Sequence, residues 1–381
     1  MSKHPASAEA QLSAVGQTLW EMVNIASPTG SEQAFNAWVR EQMQTLCPHW
    51  EHLEHQDSLI FAPPEVLQAQ PDAKHRPHIA LVGHSDVVPE HFAPRYEAGR
   101  IHGSGASDMK GALAAFFELL RQRVKTLEAH YRVSLIVYAR EEQTPLVDNG
   151  LYHLLATYPD FFQSIDTAII GEPTDNSLQL GCVGSIHATV DIEGKACHSA
   201  RPWNGENAIY KALPLMQHVA SLEPVAHSVF GQTFYDVIQL TESQSQPGRT
   251  SLPGWWKGNI NYRFAPVKSE AEAWAYLQTQ IQPERFGAQL SLLDTVPAGQ
   301  VVQSPCFEAL MQRFQKLGVA IAPKQAWTDV AQLTAHGIAA FNFGPGLTAQ
   351  AHTHDEYILQ QDLEYYLQLL EQGLISQGET P

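Results

Sequence analysis

A short apolar run that ends close to two adjacent glutamates constrains this chain more than any other stretch. Residues 133–138 read Val-Ser-Leu-Ile-Val-Tyr, and Glu141 and Glu142 follow shortly after them. Such a run is typical of a strand that is buried on both faces of a parallel sheet. Active sites of open α/β sheets form where such strands end. Two adjacent carboxylates repel each other, so the pair needs a cation or a shared proton, unless it lies in a solvated loop.

Other segments extend this pattern into an α/β fold. Apolar runs at residues 78–83, 166–170 and 338–343 alternate with segments of helical periodicity, and this alternation is typical of a mostly parallel sheet. From about residue 184 the strands instead carry one polar face, in the order β-α-β-β-α-β. That order predicts a ferredoxin-like α+β domain with two helices on one face of its sheet.

The first pattern returns after about residue 301, so the α+β domain is an insertion. The predicted segments are the first part of the α/β domain at residues 1–183, the inserted domain at 184–296 and the second part at 297–381. Residues 84–107 lack periodicity and are expected to form a long functional loop. Asp108 is expected to open the helix that follows this loop.

The amino-acid composition indicates which partners the protein can bind and in which cell compartment it is expected. Lys and Arg total 23 against 40 Asp and Glu, a formal net charge of −17, which argues against nucleic acid or an anionic membrane as partner. No apolar run is long enough to span a bilayer, and the first residues lack the pattern of a signal peptide. The four cysteines have no C-x-x-C spacing, which indicates reduced thiols. A cytoplasmic location is therefore expected.

Residues that can bind a metal stand at five strand ends or loop ends of the predicted sheet. They are His84 with Asp86, Asp108, Glu141 with Glu142, Glu172, and His352 with His354. Each alone has a simpler explanation, such as a loop histidine or a helix cap. Together, imidazole and carboxylate ligands suit zinc, cobalt or manganese, and two metals bridged by a carboxylate suit hydrolysis. The motifs of serine hydrolases and of phosphate-binding loops are absent from the sequence.

Taken together, the motifs resemble those of the di-zinc aminoacylase and carboxypeptidase-like metallopeptidases, the group that contains acetylornithine deacetylase and succinyl-diaminopimelate desuccinylase. The matching strings are Gly-His84-Ser-Asp86, Ser107-Asp108-Met-Lys-Gly, Glu141-Glu142, Gly171-Glu172-Pro-Thr, Cys197-His198-Ser-Ala-Arg-Pro202, and Ala351-His352 with Glu356. The resemblance implies a zinc-exopeptidase-like, three-layer catalytic domain whose inserted domain serves as a lid and dimerisation domain, and hence a homodimer. It also implies two Zn²⁺ ions per subunit, with Co²⁺ as the alternative.

The resemblance assigns a role to each residue of the metal site. One zinc would be held by His84 and Glu172, the other by Glu142 and His352, and Asp108 would bridge them. Glu141 would be the general base, with Asp86 supporting His84. His352 is preferred to His354 because it follows a small residue and precedes a glutamate by four positions.

The inserted domain supplies the remaining candidates. The resemblance implies that His198 stabilises the oxyanion of the tetrahedral intermediate. Arg263 could bind a substrate carboxylate through its planar guanidinium, or could equally pair across the sheet. Arg201 lies in the string His198-Ser-Ala-Arg201 and Ser185 in the string Gly181-Cys-Val-Gly-Ser185, which belong to the same resemblance, and we expect both residues to bind substrate.

Within the group, a second set of strings most resembles the actinobacterial type of succinyl-diaminopimelate desuccinylase. These strings are Gly181-Cys-Val-Gly-Ser185, His198-Ser-Ala-Arg201, Gly205-Glu-Asn-Ala-Ile-Tyr-Lys211, Asn261-Tyr-Arg-Phe-Ala-Pro266, Trp327-Thr-Asp-Val330 and Asn342-Phe-Gly-Pro-Gly346. This implies hydrolysis of N-succinyl-LL-2,6-diaminopimelate, a small-molecule substrate of lysine biosynthesis. Arg140 departs from that subgroup, which tends to have cysteine before the glutamate pair. Deacetylation of N-acetylornithine or N-acetylcitrulline, and dipeptide cleavage, therefore remain alternatives. A non-catalytic metal-binding protein on this fold is the alternative from another class.

Overall fold

Two compact units make up the chain in a computed structural model that describes residues 11–72, 74–88 and 91–375. The first unit contains the described residues up to Leu180, then Val301–Ala322 and those from Gln332 onward. The second unit contains Gly181–Gln300 and Pro323–Ala331. The segment considered for a signal peptide lies outside the described residues.

The boundary of the second unit differs from the expected one after residue 322. Residues 323–331 were expected in the second part of the α/β domain, but they pack with the inserted unit. The carbonyl of Lys324 accepts a hydrogen bond of 3.3 Å from the backbone N–H of Val183. The Trp327 indole N–H donates to the carbonyl of Pro297 at 3.1 Å. This segment is thus fixed to both ends of the insertion.

The first unit is built on an eight-stranded mixed sheet. Its order is Glu51–His55, Ser58–Ala62, Arg132–Tyr138, His78–His84, Thr167–Ile170, Ala339–Asn342, Leu178–Leu180 and Ile321–Pro323. The four central strands, from Arg132–Tyr138 to Ala339–Asn342, run parallel. Ile79 and Leu81 face the main hydrophobic cluster, while Ala80 and Val82 are equally buried on the opposite face. Both faces are therefore covered, and the predicted α/β fold is confirmed.

Helices cover this sheet. The α-helices outside the inserted segment Gly181–Gln300 are Ala14–Val23, Gln33–Leu46, Pro64–Leu67, Lys110–His130, Gly150–Thr157, Pro159–Gln163, Pro305–Lys316, Val330–Ala335 and Gln360–Leu374. Lys110–His130 packs against Ala14–Val23 and Gln360–Leu374, and its first half is buried throughout. None of the helices in the described part of the chain is long and apolar enough to cross a membrane.

Part of the expected loop at residues 84–107 forms a small sheet. Arg95–Glu97 pairs with Arg100–His102, and Arg100–His102 pairs with Tyr357–Leu359 near the end of the chain. The helix that Asp108 was expected to open begins two residues later, at Lys110. No side chain caps it. Asp108 thus belongs to the connection between this small sheet and the helix.

The second unit has a five-stranded antiparallel sheet. Its order is Val225–Val229, Gln232–Ser245, Trp255–Phe264, Gly184–Glu193 and Ala288–Val296, with the short pair Cys197–His198 and Ser251–Leu252 beside it. Helices Ala208–Ala220 and Glu270–Ile281 pack on one face. The expected β-α-β-β-α-β order is present, with Val225–Val229 as an additional edge strand. A tight turn at Phe230 and Gly231, both with positive φ, joins that strand to the next.

Candidate metal centre

Three adjacent parallel strands deliver polar side chains to one edge of the large sheet. His84 is the last residue of its strand, Glu142 follows Tyr138 by four residues, and Glu172 follows Ile170 by two. The strand of His84 lies between the other two and pairs with both. The ends of parallel strands coincide, so these three residues approach one another. Asp108 and His352 join them from loops.

The side chains form two groups that share Asp108. His84 Nε2 lies 3.3 Å from Asp108 Oδ1 and 3.9 Å from Glu172 Oε1. His352 Nε2 lies 2.7 Å from Glu142 Oε2 and 3.8 Å from Asp108 Oδ2. In each group the ligand atoms lie within 4.8 Å of one another. The two oxygens of Asp108 therefore face different histidines, as a bridging carboxylate requires.

The residues of this cluster differ in how far they are exposed to solvent. His84, Asp108, Glu142 and Glu172 are buried, whereas the side chain of His352 is 49% exposed. Glu141 is partly exposed and belongs to a third group with His84 and Glu142. The structure thus leaves Glu141 nearest to solvent among the acids of the cluster. His354 is absent from the three groups found among the described residues.

Asp86 ties the glutamate pair to His84. Its Oδ1 accepts the backbone N–H of Glu141 at 3.0 Å, and its Oδ2 accepts that of Glu142 at 2.9 Å. The hydroxyl of Thr29 donates to Oδ2 at 3.0 Å. On the other side, the backbone carbonyl of Asp86 lies 2.9 Å from His84 Nδ1. This contact orients the imidazole so that Nε2 points into the cluster.

The electrostatics of the cluster favour a bound cation. Burial raises the pKa of Glu142, and the charge of Asp108 raises it further. The hydrogen bond with Glu142 raises the pKa of His352 to about 9. Burial alone would lower the pKa of His84, but the carboxylates of Asp108 and Asp86 raise it well above its usual value. Protons on the histidines therefore balance the acids. Divalent cations would replace them on the same nitrogen and oxygen atoms.

The donor set fits zinc or a similar metal. Each three-residue group offers one imidazole nitrogen and two carboxylate oxygens, a mixture that suits zinc, cobalt and manganese. Three protein ligands leave a coordination position open, as in catalytic rather than structural sites. The cluster is therefore suited to two metal ions bridged by Asp108.

Sequence reasoning gave Glu356 no role of its own. Glu356 is buried and accepts the backbone N–H groups of Gly105, Ser107 and Asp108. Burial raises its pKa to about 7, against the effect of these three hydrogen bonds. The glycine-rich stretch at residues 103–105 was the available signal, because a tight loop there leaves several N–H groups in need of an acceptor.

The remaining predicted site residues lie in the inserted unit. Ser185 is buried and pairs with Arg263 across neighbouring antiparallel strands. Arg263 Nε donates to Asn261 Oδ1 at 3.1 Å, so this guanidinium already has a neighbour on its own strand. His198 and Arg201 are exposed, and the backbone N–H of Arg201 donates to the carbonyl of His198 at 2.8 Å. The roles of these four residues remain predictions.

The fold and the paired ligand groups are typical of metal-dependent hydrolases with a dinuclear centre. Comparisons with known proteins agree. The sequence model of peptidase family M20/M25/M40 matches residues 80–375. The succinyl-diaminopimelate desuccinylase of Corynebacterium glutamicum is 28% identical over 362 residues, covering 93% of this chain and 94% of the relative.

Solved structures share the fold at low identity. A tripeptidase from Staphylococcus aureus has a TM-score of 0.73 at 16% identity, with 95% of this chain and 97% of that chain covered. A Bacillus subtilis protein described as a dinuclear metal-binding peptidase of the M20 family has a TM-score of 0.66 at 13% identity, with 95% and 96% covered. The chain belongs to peptidase family M20/M25/M40, which confirms the resemblance, and it is a hydrolase.

Proposed function

We propose that this protein is an amide hydrolase that releases succinate from N-succinyl-LL-2,6-diaminopimelate and leaves LL-2,6-diaminopimelate. The observation that carries the proposal is the pair of ligand groups sharing Asp108, with the partly exposed Glu141 beside them. The similarity to the C. glutamicum desuccinylase supports this choice of substrate.

Two zinc ions, or cobalt as the alternative, would complete the centre. His84 and Glu172 would hold one ion, Glu142 and His352 would hold the other, and Asp108 would contact both. When bound, the ions polarise the amide carbonyl and lower the pKa of water. The acid surplus of the cluster supports this assignment, because buried carboxylates at these distances need compensating positive charge.

Glu141 serves as the proton carrier. It accepts a proton from the water that attacks the amide carbon, and it donates that proton to the amine nitrogen as the C–N bond breaks. Glu142 is less suited to this role because it is buried and hydrogen-bonded to His352. The hydrogen bonds from both backbone N–H groups to Asp86 hold the pair in fixed orientations.

The inserted unit provides substrate contacts in this proposal. His198 stabilises the oxyanion, Arg263 binds a substrate carboxylate, and Arg201 and Ser185 add further contacts. The unit also forms the interface of a homodimer. The reaction belongs to precursor synthesis for lysine and the cell wall, and on that ground we propose the cytoplasm as its location.

A substrate panel with metal analysis tests the proposal. The purified protein is loaded with zinc or cobalt, and its metal content is measured in the sample used for the assay. N-succinyl-LL-2,6-diaminopimelate should be hydrolysed with the highest kcat/KM. Higher values for N-acetylornithine, N-acetylcitrulline or a dipeptide would overturn the acyl specificity. No hydrolysis of any amide by a fully loaded protein would favour a non-catalytic metal-binding protein.

A further inference from the structure

The carboxylate of Glu356 accepts three backbone hydrogen bonds from one short loop. Its Oε1 accepts the N–H groups of Ser107 at 2.7 Å and Asp108 at 2.8 Å, and its Oε2 accepts that of Gly105 at 2.8 Å. Glu356 is 3% exposed. A buried carboxylate without such donors would be strongly destabilising, so the side chain and the loop depend on each other.

The two segments joined by this carboxylate carry different members of the metal centre. The loop carries Asp108, the only residue common to both of its principal ligand groups. Glu356 follows His352 by four residues.

Further hydrogen bonds fix the register of the two segments. The backbone N–H of Gly103 donates to the Glu356 carbonyl at 3.1 Å, and the Ser107 hydroxyl donates to the Tyr357 carbonyl at 2.8 Å. The pairing of Arg100–His102 with Tyr357–Leu359 continues this connection. The loop therefore has little freedom to shift relative to the segment of His352.

We infer that Glu356 is a positioning residue for the dinuclear centre. By fixing the backbone at Asp108, it keeps one oxygen of that carboxylate toward His84 and the other toward His352. A shift of this loop moves both oxygens at once, so losing Glu356 weakens both metal positions together. The inference rests on the metal centre of the proposed function, and it adds a residue that need not touch metal or substrate.

Two substitutions remove one or all of the three hydrogen bonds that Glu356 accepts. In Glu356→Gln the amide oxygen can still accept the N–H groups of Ser107 and Asp108, but the amide nitrogen faces the N–H of Gly105. Glu356→Ala removes all three acceptor contacts. Changing the residues that orient metal ligands typically lowers metal affinity by about 10–100-fold. We therefore expect about a tenfold loss of zinc affinity for the glutamine variant and about a hundredfold loss for the alanine variant.

Competition with a chromophoric chelator measures zinc affinity on the folded protein without any enzyme assay. The matched control is Glu371→Gln, which changes a carboxylate that pairs with Arg123 away from the centre, and its zinc affinity should equal that of the wild type. Under saturating zinc, the Glu356 variants should also show a lower kcat with KM nearly unchanged. The glutamine variant provides the measurement if the alanine variant does not fold.

A purely structural role gives a different result. In that case the thermal midpoint of the metal-free glutamine variant falls, while its zinc affinity and kcat match those of the wild type. That outcome overturns the inference and leaves the proposed function standing. A wild-type protein that binds no metal would overturn the proposed function, and the inference with it.

Discussion

Replacing Asp86 by asparagine tests the network that holds the ligand-bearing backbone. Asp86 is fully buried and accepts three hydrogen bonds, from the N–H groups of Glu141 and Glu142 and from the Thr29 hydroxyl. Its Oδ1 also lies 3.5 Å from Nδ1 of the buried His84. An asparagine oxygen in the position of Oδ2 keeps the contacts to Glu142 and Thr29. The amide nitrogen then faces both the N–H of Glu141 and His84 Nδ1, so that N–H loses its acceptor and His84 loses a neighbouring negative charge.

An unsatisfied buried donor costs about 1–3 kcal/mol, so we expect the free energy of unfolding of the metal-free protein to fall by at least this amount, because the contact with His84 is weakened as well. The measurement is a urea titration followed by far-ultraviolet circular dichroism. The control is Asp191→Asn, because Asp191 forms a partly exposed ion pair of 3.0 Å with Lys257, and surface ion pairs contribute about 0–1 kcal/mol. A loss for Asp86→Asn no larger than that of the control would refute this account of the network.

Three further predictions concern His352. His352→Ala should lower the metal content from two ions to about one per chain, because it removes a ligand from one group and leaves the group of His84, Asp108 and Glu172 intact. The metal content is measured by elemental analysis. Two ions per chain in this variant would exclude His352 as a ligand. The pKa of His352 is raised to about 9 in the metal-free protein, above the usual 6.5 of histidine. Zinc must therefore displace a proton from His352, so the affinity of the protein for zinc should rise as the pH increases from 7 to about 9. In the metal-free protein the contact between His352 and Glu142 makes its full contribution to stability below about pH 6.5, and this contribution is lost as the pH rises through about 9. The thermal midpoint should therefore fall over that range. A flat or opposite pH dependence of either the zinc affinity or the thermal midpoint would contradict the His352–Glu142 contact.

The convergence of the strand-end His and Glu side chains could be predicted because local sequence determines where each strand ends. Residues 133–138 and their counterparts are apolar runs of strand length, and buried parallel strands bring their ends to one edge. His84, Glu142 and Glu172 therefore converge as expected. Asp108 also lies in the cluster, but not as the start of a helix, because its loop is held by Glu356 from a distant part of the sequence.

Features that depend on long-range pairing were missed. Arg95–Glu97 and Arg100–His102 have three residues each and lack an apolar pattern. They exist as strands because Tyr357–Leu359 pairs with the second of them. Val225–Val229 is largely exposed and contains His and Ser, so periodicity could not distinguish it from a loop. The attachment of residues 323–331 to the inserted unit likewise rests on contacts with residues far away in the sequence.

Turnover and metal content of Glu141→Gln, measured in one sample, test whether Glu141 carries the proton at a metal-loaded site. The substitution removes the proposed proton carrier while the hydrogen bond between the residue 141 backbone and Asp86 can persist. General acid–base catalysis contributes about 10²–10⁴-fold in rate, so hydrolysis of N-succinyl-LL-2,6-diaminopimelate should fall by about that factor with two metal ions still bound. Wild-type turnover by this variant at full metal content would contradict the account.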